Sequence, residues 1–233
     1  YFDQHLQKML DTLEKAGELD NTLVIVTADN GMPFPRIKGQ EYEYSNHLPL
    51  AVMWKNGIKN PGRTVCDFVN FIDFAPTFLE LAGRDGLKAG MQPIQGRSLT
   101  EIFKSEADGV VCADRDHVLI GKERHDVGRP HDAGYPIRGI VKGDYLYLRN
   151  FEPSRWPAGN PETGYLNADG SPTKTQILDM RRNGTDLTFW TWSFGKRPGE
   201  QMFNVVEDPE CMSDLAGDPA YRELKEALNR QMV

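Results

Sequence analysis

Residues 22–28 read Thr-Leu-Val-Ile-Val-Thr-Ala, an apolar, β-branched run that stops abruptly at Asp29-Asn30-Gly31. A strand with one wet face alternates apolar and polar side chains. A run without alternation is what a strand covered on both faces of a parallel sheet shows. Pro33 and Pro35 then keep the next segment irregular. The surroundings follow the same grammar. Phe2, Leu6, Met9, Leu10 and Leu13 recur at helical spacing, predicting an amphipathic helix over 2–16 that Gly17 ends, before a turn at Asp20-Asn21. Leu48–Trp54 is a second strand candidate, closed by Lys55-Asn56-Gly57. Val69–Ala82 reads as a helix with Asp73 early, Pro76 in its first turn and Gly83 at its end. Helix, strand, loop, strand, helix is the order of an α/β fold.

Beyond residue 84 the texture changes. A Gly-rich connection over 84–110 holds a short helix near 98–104. Val118–Gly121, Ile137–Val141 and Tyr145–Arg149 read as short strands, the last two joined by a Lys142-Gly143-Asp144 turn, which together predict an antiparallel sheet. Residues 150–175 read as a long ordered loop packed through Phe151, Trp156 and Tyr165, and a closing helix follows Asp218-Pro219 within Leu215–Met232. The expected division is therefore 1–110, part of an α/β domain, and 111–233, a smaller subdomain. A helix starting at residue 2, with no initiator Met or signal sequence ahead of it, reads as a piece of a longer protein.

The net charge of −7 argues against non-specific binding to nucleic acid, yet leaves an anionic substrate open, since a site needs only a few local cations. No apolar run approaches a membrane span. Cys66, Cys112 and Cys211 lack the paired spacing of a zinc site.

In α/β sheets ligands bind beyond the carboxyl ends of strands, which is where Asp29 and Asn30 stand. A carboxylate beside an amide carbonyl offers two hard oxygen donors, suited to Ca²⁺ or Mg²⁺ rather than zinc, and two donors are too few without others from elsewhere. An Asx-Gly turn that merely closes a strand has the same sequence, and the tripeptide alone favours that simpler reading.

The wider stretch Leu19-Asp-Asn-Thr-Leu-Val-Ile-Val-Thr-Ala-Asp-Asn-Gly-Met-Pro-Phe-Pro35 resembles the sulfatase segment in which a strand delivers Asp-Asn to the metal. It is most similar to the sulfamidase (heparan N-sulfatase) branch, with its Asp-Asn-Gly-x-Pro-Phe-Pro run and a basic residue shortly after. Further segments resemble the same family in its order: Asn70–Ala82, Gly96-Arg-Ser-Leu99, Lys122-Glu-Arg-His-Asp126 ahead of Tyr135-Pro-Ile-Arg138, Ser171-Pro-Thr173, and Glu200–Ala216. The resemblance implies an alkaline-phosphatase-like fold: the C-terminal part of its large mixed sheet with flanking helices, plus a smaller antiparallel sheet and helix.

For the site, it implies Asp29 and Asn30 as ligands of Ca²⁺, ahead of Mg²⁺. Lys38 would contact the sulfuryl oxygens and stabilise charge in the transition state, with Arg36 as adjacent competitor. His47, Glu123, Arg124 and His125 become candidates for binding a sulfated saccharide, since imidazole can hydrogen-bond a sugar hydroxyl or protonate a leaving group. Arg129, His131 and Arg138 are weaker candidates, and Arg138 is suited to holding a buried carboxylate instead. Trp156, Trp190 and Trp192 could stack on sugar faces, although core packing is the commoner use of Trp. Each lone His is more often structural or simply exposed.

The family's nucleophile is a formylglycine made from the Cys or Ser of C/S-x-P/A-x-R. No Cys here has Arg four residues on, and Ser193 with Arg197 carries Gly195 where Pro or Ala belongs. The resemblance therefore implies that formylglycine lies in an N-terminal half of the same protein, a required partner, without which this chain is inactive. It also implies an extracytoplasmic setting, periplasmic, secreted or lysosomal. Phosphodiesterases and phosphonate hydrolases of the superfamily commonly present Asp-His where this chain has Asp29-Asn30, so Asn30 counts against them. O-sulfatases and a non-catalytic carbohydrate-binding fragment are the other readings.

Overall fold

The apolar run at 22–28 does form a strand, and the elements around it follow the predicted order. In the computed structural model, residues 1–123, 129, 131, 133–159 and 168–233 are described. In chain order the elements are α1 (Phe2–Lys15), β1 (Val24–Thr27), α2 (Glu43–Asn46), β2 (Leu50–Met53), α3 (Phe74–Leu81), α4 (Thr100–Lys104), β3 (His117–Lys122), β4 (Ile137–Lys142), β5 (Tyr145–Asn150), α5 (Pro172–Arg182), α6 (Thr188–Phe194), β6 (Glu200–Asn204) and α7 (Arg222–Met232). They divide into two compact units, one of residues 1–27 and 49–116, the other of 28–48 and 117–233. The segment after β1, which carries the candidate metal ligands and Lys38, thus packs with the C-terminal residues.

In the first unit β1 pairs antiparallel with β2, from Val24 opposite Met53 to Thr27 opposite Leu50. This corrects the parallel pairing expected of the unalternated run. A parallel partner needs a crossover connection, usually a full helix. Residues 28–49 contain only the single turn α2, so the chain returns antiparallel. The absence of alternation reflects partial burial on both faces, since all four β1 residues are half-buried. Leu99, Ile102, Phe103 and Cys112 form the core of this unit, with Val52, Trp54, Val69, Phe74 and Leu81 against them.

The predicted helix over 69–82 starts as a 3₁₀ turn at Phe71–Asp73 and becomes α3 at Phe74. Pro76 sits in the first turn of α3, where its missing N–H is no loss. Asp73 organises the corner. It caps Asn70 N–H (3.1 Å), accepts from Arg97 N–H (2.8 Å) and pairs with buried Arg115 (2.9 Å).

The second unit is built on the antiparallel sheet β3-β4-β5-β6, the first three strands being the predicted ones. A two-residue turn joins β4 to β5, with Gly143 at φ 54, a conformation that suits glycine. Side chains alternate cleanly. Ile137, Leu146, Leu148 and Phe203 face one core with Tyr42, Tyr135 and Cys211, while Ile140, Tyr147 and Met202 face another with Leu228 of α7. Period-2 strands covered on both sides give this two-sided burial. A third cluster of Ala168, Ile177, Trp190 and Phe194 joins α5 to α6.

Three elements run against the sequence reading. The long loop ends at α5, which Ser171 caps by accepting from Lys174 N–H (3.1 Å), with Pro172 in its first turn. α6 and the edge strand β6 were not expected. Of the loop's predicted anchors, Trp156 packs edge-on against Trp190 (5.5 Å between rings), Phe151 is exposed under Arg149, and Tyr165 lies outside the described residues. Among the described residues no helix is long and apolar enough to cross a membrane.

Candidate active site

The Asp29-Asn30-Gly31 turn is fixed by a close backbone approach. Gly31 N–H donates to Ser45 C=O (3.2 Å), and a Cβ at residue 31 would stand 2.1 Å from Tyr44 O and 2.7 Å from Ile37 Cγ2. Glycine is required here for space. The Asp29 side chain is left exposed, and among the described residues it has no ion-pair or hydrogen-bond partner, while Asn30 is half-buried beside it. An open carboxylate next to an amide oxygen is a donor set that fits a hard cation such as Ca²⁺. No group of three or more His, Cys, Asp or Glu among the described residues converges as a metal site, so the remaining ligands would come from outside this set.

The loop that follows is pinned to the C-terminal sheet. Tyr42 inserts into the sheet's core, edge-on to Phe203 at 5.7 Å, and its hydroxyl meets Gln201 Oε1 at 3.2 Å. Arg36 takes φ 72 and lies 4.1 Å over the Tyr42 ring, donating to Trp192 O (3.0 Å) and Cys211 O. It is a structural clamp. Lys38, two residues on, is partly exposed and pairs through Nζ with both carboxylate oxygens of Asp169 at 3.0 and 3.3 Å. Of the two basic residues considered for the sulfuryl contact, Arg36 is occupied by backbone carbonyls and Lys38 by the carboxylate of Asp169, in a pair partly open to solvent.

Beneath this loop lies a buried acid–base pair that sequence reading missed. Glu41 and Lys122 stand 4.0 Å apart, and Lys122 also donates to Gly39 O and Pro157 O. Burial pushes the Glu41 carboxyl up to about 7 and the Lys122 ammonium down to about 8, each opposed by the partner's charge. Arg197 is buried too, donating to Thr191, Trp192 and Ser193 carbonyls, and desolvation lowers its pKa.

His47 follows α2 with its ring exposed, and Nδ1 meets Glu43 Oε1, which raises the imidazole above its ordinary pKa. Glu123 pairs with Arg138 at 2.7 Å on the surface. The carboxylate Arg138 holds is therefore exposed, where the sequence suggested a buried one. Arg124 and His125 lie outside the described residues. Arg129 donates to Trp156 and Pro157 carbonyls over the Tyr135 ring, and His131 is exposed with φ 57. Trp156 and Trp190 are packing residues, whereas Trp192 is exposed against Phe189 (5.7 Å). Asp29, Asn30, Lys38 and His47 thus all belong to one pinned segment of the second unit, and Glu123 to that unit's sheet end.

Comparison with known proteins places this segment. Residues 1–84 match the sequence profile of the sulfatase family. An ulvan-active sulfatase of Formosa agariphila is 24% identical over 99% of this chain and 36% of its own length. Human N-sulphoglucosamine sulphohydrolase is 26% identical over 99% of this chain and 44% of its own length. The solved structure of BT4656 in complex with its substrate D-glucosamine-2-N,6-O-disulfate superposes with a TM-score of 0.62 at 22% identity, covering 99% of this chain and 37% of that one. The chain thus spans well under half the length of these relatives. With its Asp-Asn-Gly turn, the order of its motifs and this fold in agreement, the chain carries the sulfatase family's sequence profile over residues 1–84 and has part of the alkaline-phosphatase-like fold of the sulfatases.

Proposed function

We propose that this chain supplies the Asp-Asn metal-binding turn and the sulfuryl-binding lysine of a sulfatase. That enzyme would remove sulfate from a sulfated saccharide, with heparan-type N-sulfoglucosamine as the preferred substrate. The observation that carries the reading is the pinned segment 29–47. It leaves the Asp29 carboxylate open, holds Arg36 in backbone contacts, and presents the Lys38 ammonium two residues away. Asp29 and Asn30 would hold Ca²⁺, which supplies charge neutralisation of the sulfuryl group. Lys38 adds a cation at the oxygens where charge develops. His47, kept protonated to higher pH by Glu43, can donate to a sugar heteroatom or leaving amine. Glu123, Arg124 and His125 are proposed on the saccharide side.

The nucleophile is not in this sequence. We place it, as formylglycine, in an N-terminal half of the same protein, with an extracytoplasmic location. The test is the full-length protein assayed for sulfate release from N-sulfated and from 6-O-sulfated glucosamine. Release from the N-sulfated sugar, lost on Asp29→Ala or Lys38→Ala, is expected. A second reading, an O-sulfatase acting on another glycan, is favoured by the ulvan-active relative, which matches over the same share of this chain. Release from the O-sulfated sugar alone would establish that reading over the first.

A further inference from the structure

The Lys38 ammonium already has an anion on it. Both oxygens of Asp169 lie within hydrogen-bond distance, at 3.0 and 3.3 Å, so one carboxylate takes up positions that a sulfuryl oxygen would need. Nothing local in the sequence joins these groups, which are 131 residues apart. Two features hold Asp169 in place. Ala168 beside it is buried in the α5–α6 cluster, and Lys174 in the first turn of α5 donates to the Ala168 carbonyl at 2.8 Å. Lys174 also feels the Asp169 charge, so the carboxylate stands near two ammonium groups. The Lys38–Asp169 pair is partly open to solvent, at 29% and 50% side-chain exposure. A pair so exposed is weak enough to exchange with an incoming anion.

We propose that Asp169 is a positioning residue for Lys38 and a built-in competitor for sulfate. It would hold the ammonium in place while the site is empty and be displaced when a sulfuryl group binds. On release of sulfate it would take the ammonium back. This inference rests on the Lys38 assignment made above. It adds a specificity element, because the fixed negative charge sets a threshold that only a strong anion at this position crosses.

The test uses the full-length enzyme, a sulfated chromogenic sugar as substrate and inorganic sulfate as the competing probe. In Asp169→Asn the competitor is neutral, so the inhibition constant for sulfate and KM should both fall, by about two- to fivefold, the range for a partly exposed pair. Asp169→Glu, which keeps the charge, should stay near wild type, and Asp169→Ser serves should the amide variant misfold. In a Lys38→Ala background, Asp169→Asn should leave the Kd for inorganic sulfate, read by titration calorimetry, unchanged. An unchanged or higher inhibition constant in Asp169→Asn would overturn the proposal, as would the same fall without Lys38. If Lys38→Ala alone leaves sulfate inhibition and kcat/KM at wild type, the Lys38 assignment itself is what has failed.

Discussion

Replacing Gly31 by Ala adds one methyl group at the most constrained point of the candidate site. The new Cβ would lie 2.1 Å from Tyr44 O, 2.7 Å from Ile37 Cγ2 and 3.0 Å from Ser45 Cα. Two of these neighbours are backbone atoms, so no rotamer change relieves the clash, and residues 29–31 must move away from α2. Overpacking of this kind costs about 1–3 kcal/mol. Weakening the Gly31 N–H to Ser45 C=O bond adds about 0.5–1.5 kcal/mol. Restricting the unfolded chain returns about 0.4–1 kcal/mol. The net loss is about 0.5–4 kcal/mol, read by urea unfolding against Gly217→Ala, whose added Cβ meets nothing within 4 Å. The functional consequence is larger, because Asp29 and Asn30 move with Gly31. A displacement of about 1 Å at a reacting centre can cost about 10²-fold in rate, so kcat/KM of the full-length enzyme should fall by about that much. The Ca²⁺ concentration for half-maximal activity should rise. A Gly31→Ala enzyme with wild-type stability, activity and Ca²⁺ response would refute the claim that this contact positions the proposed metal ligands.

Other outcomes follow from neighbouring groups. Arg36→Met removes the donors to Trp192 O and Cys211 O and should cost about 2–4 kcal/mol in chemical unfolding while lowering activity through a loosened Lys38 loop. Asp73→Ala strands buried Arg115 and should cost about 3–5 kcal/mol, measured the same way, whatever its effect on catalysis. The Glu41 carboxyl titrates near 7 in the folded protein against 4.5 unfolded, so its contribution is fully present below pH 4.5 and lost as pH rises through 7. Stability curves of wild type and Glu41→Gln should therefore diverge over that window, the wild type losing about 3 kcal/mol relative to the variant. Lys122 has the opposite sense. Its depressed pKa gives a contribution present above pH 10.5 and lost as pH falls through 8, which Lys122→Met should abolish. Glu43→Gln should lower the titration midpoint of His47, followed by NMR.

The local signals in the sequence were read well because they act locally. Periodicity, turn residues and the Asp218-Pro219 start located α1, β1–β5 and α7 to within a few residues. What failed needed knowledge of neighbours. The β1 run looked parallel because burial on both faces leaves the same pattern whatever the partner's direction. The connection to its partner holds no crossover helix, only the single turn α2, and the chain returns antiparallel. Edge strand β6 was missed because Met202 and Phe203 bury on opposite faces of the sheet, which in five residues looks like no pattern at all. α5 did carry a readable start in Ser171-Pro172, a capping residue before a first-turn proline, but the Gly- and Pro-rich stretch ahead of it masked that signal.

The site shows the same division at finer grain. As candidates, Asp29, Asn30 and Lys38 were legible because chemistry and motif fall within ten residues of one another. Their support was not, because Arg36 reaches the carbonyls of residues 192 and 211, Lys38 meets Asp169, and Glu41 meets Lys122. Each partner lies far along the chain, and nothing in its own neighbourhood marks it. This distribution matters for function. A turn proposed to bind metal through open side chains cannot also use those side chains to hold itself in place. Its rigidity has to come from groups that touch neither metal nor substrate, here Gly31, Arg36 and Tyr42. Substitutions at those three positions should therefore depress activity in step with local stability, whereas Asp29→Ala and Lys38→Ala should depress activity while leaving unfolding nearly unchanged. Equal stability losses in both groups would show that the ligands are also part of the scaffold, and that the separation argued for this loop does not hold.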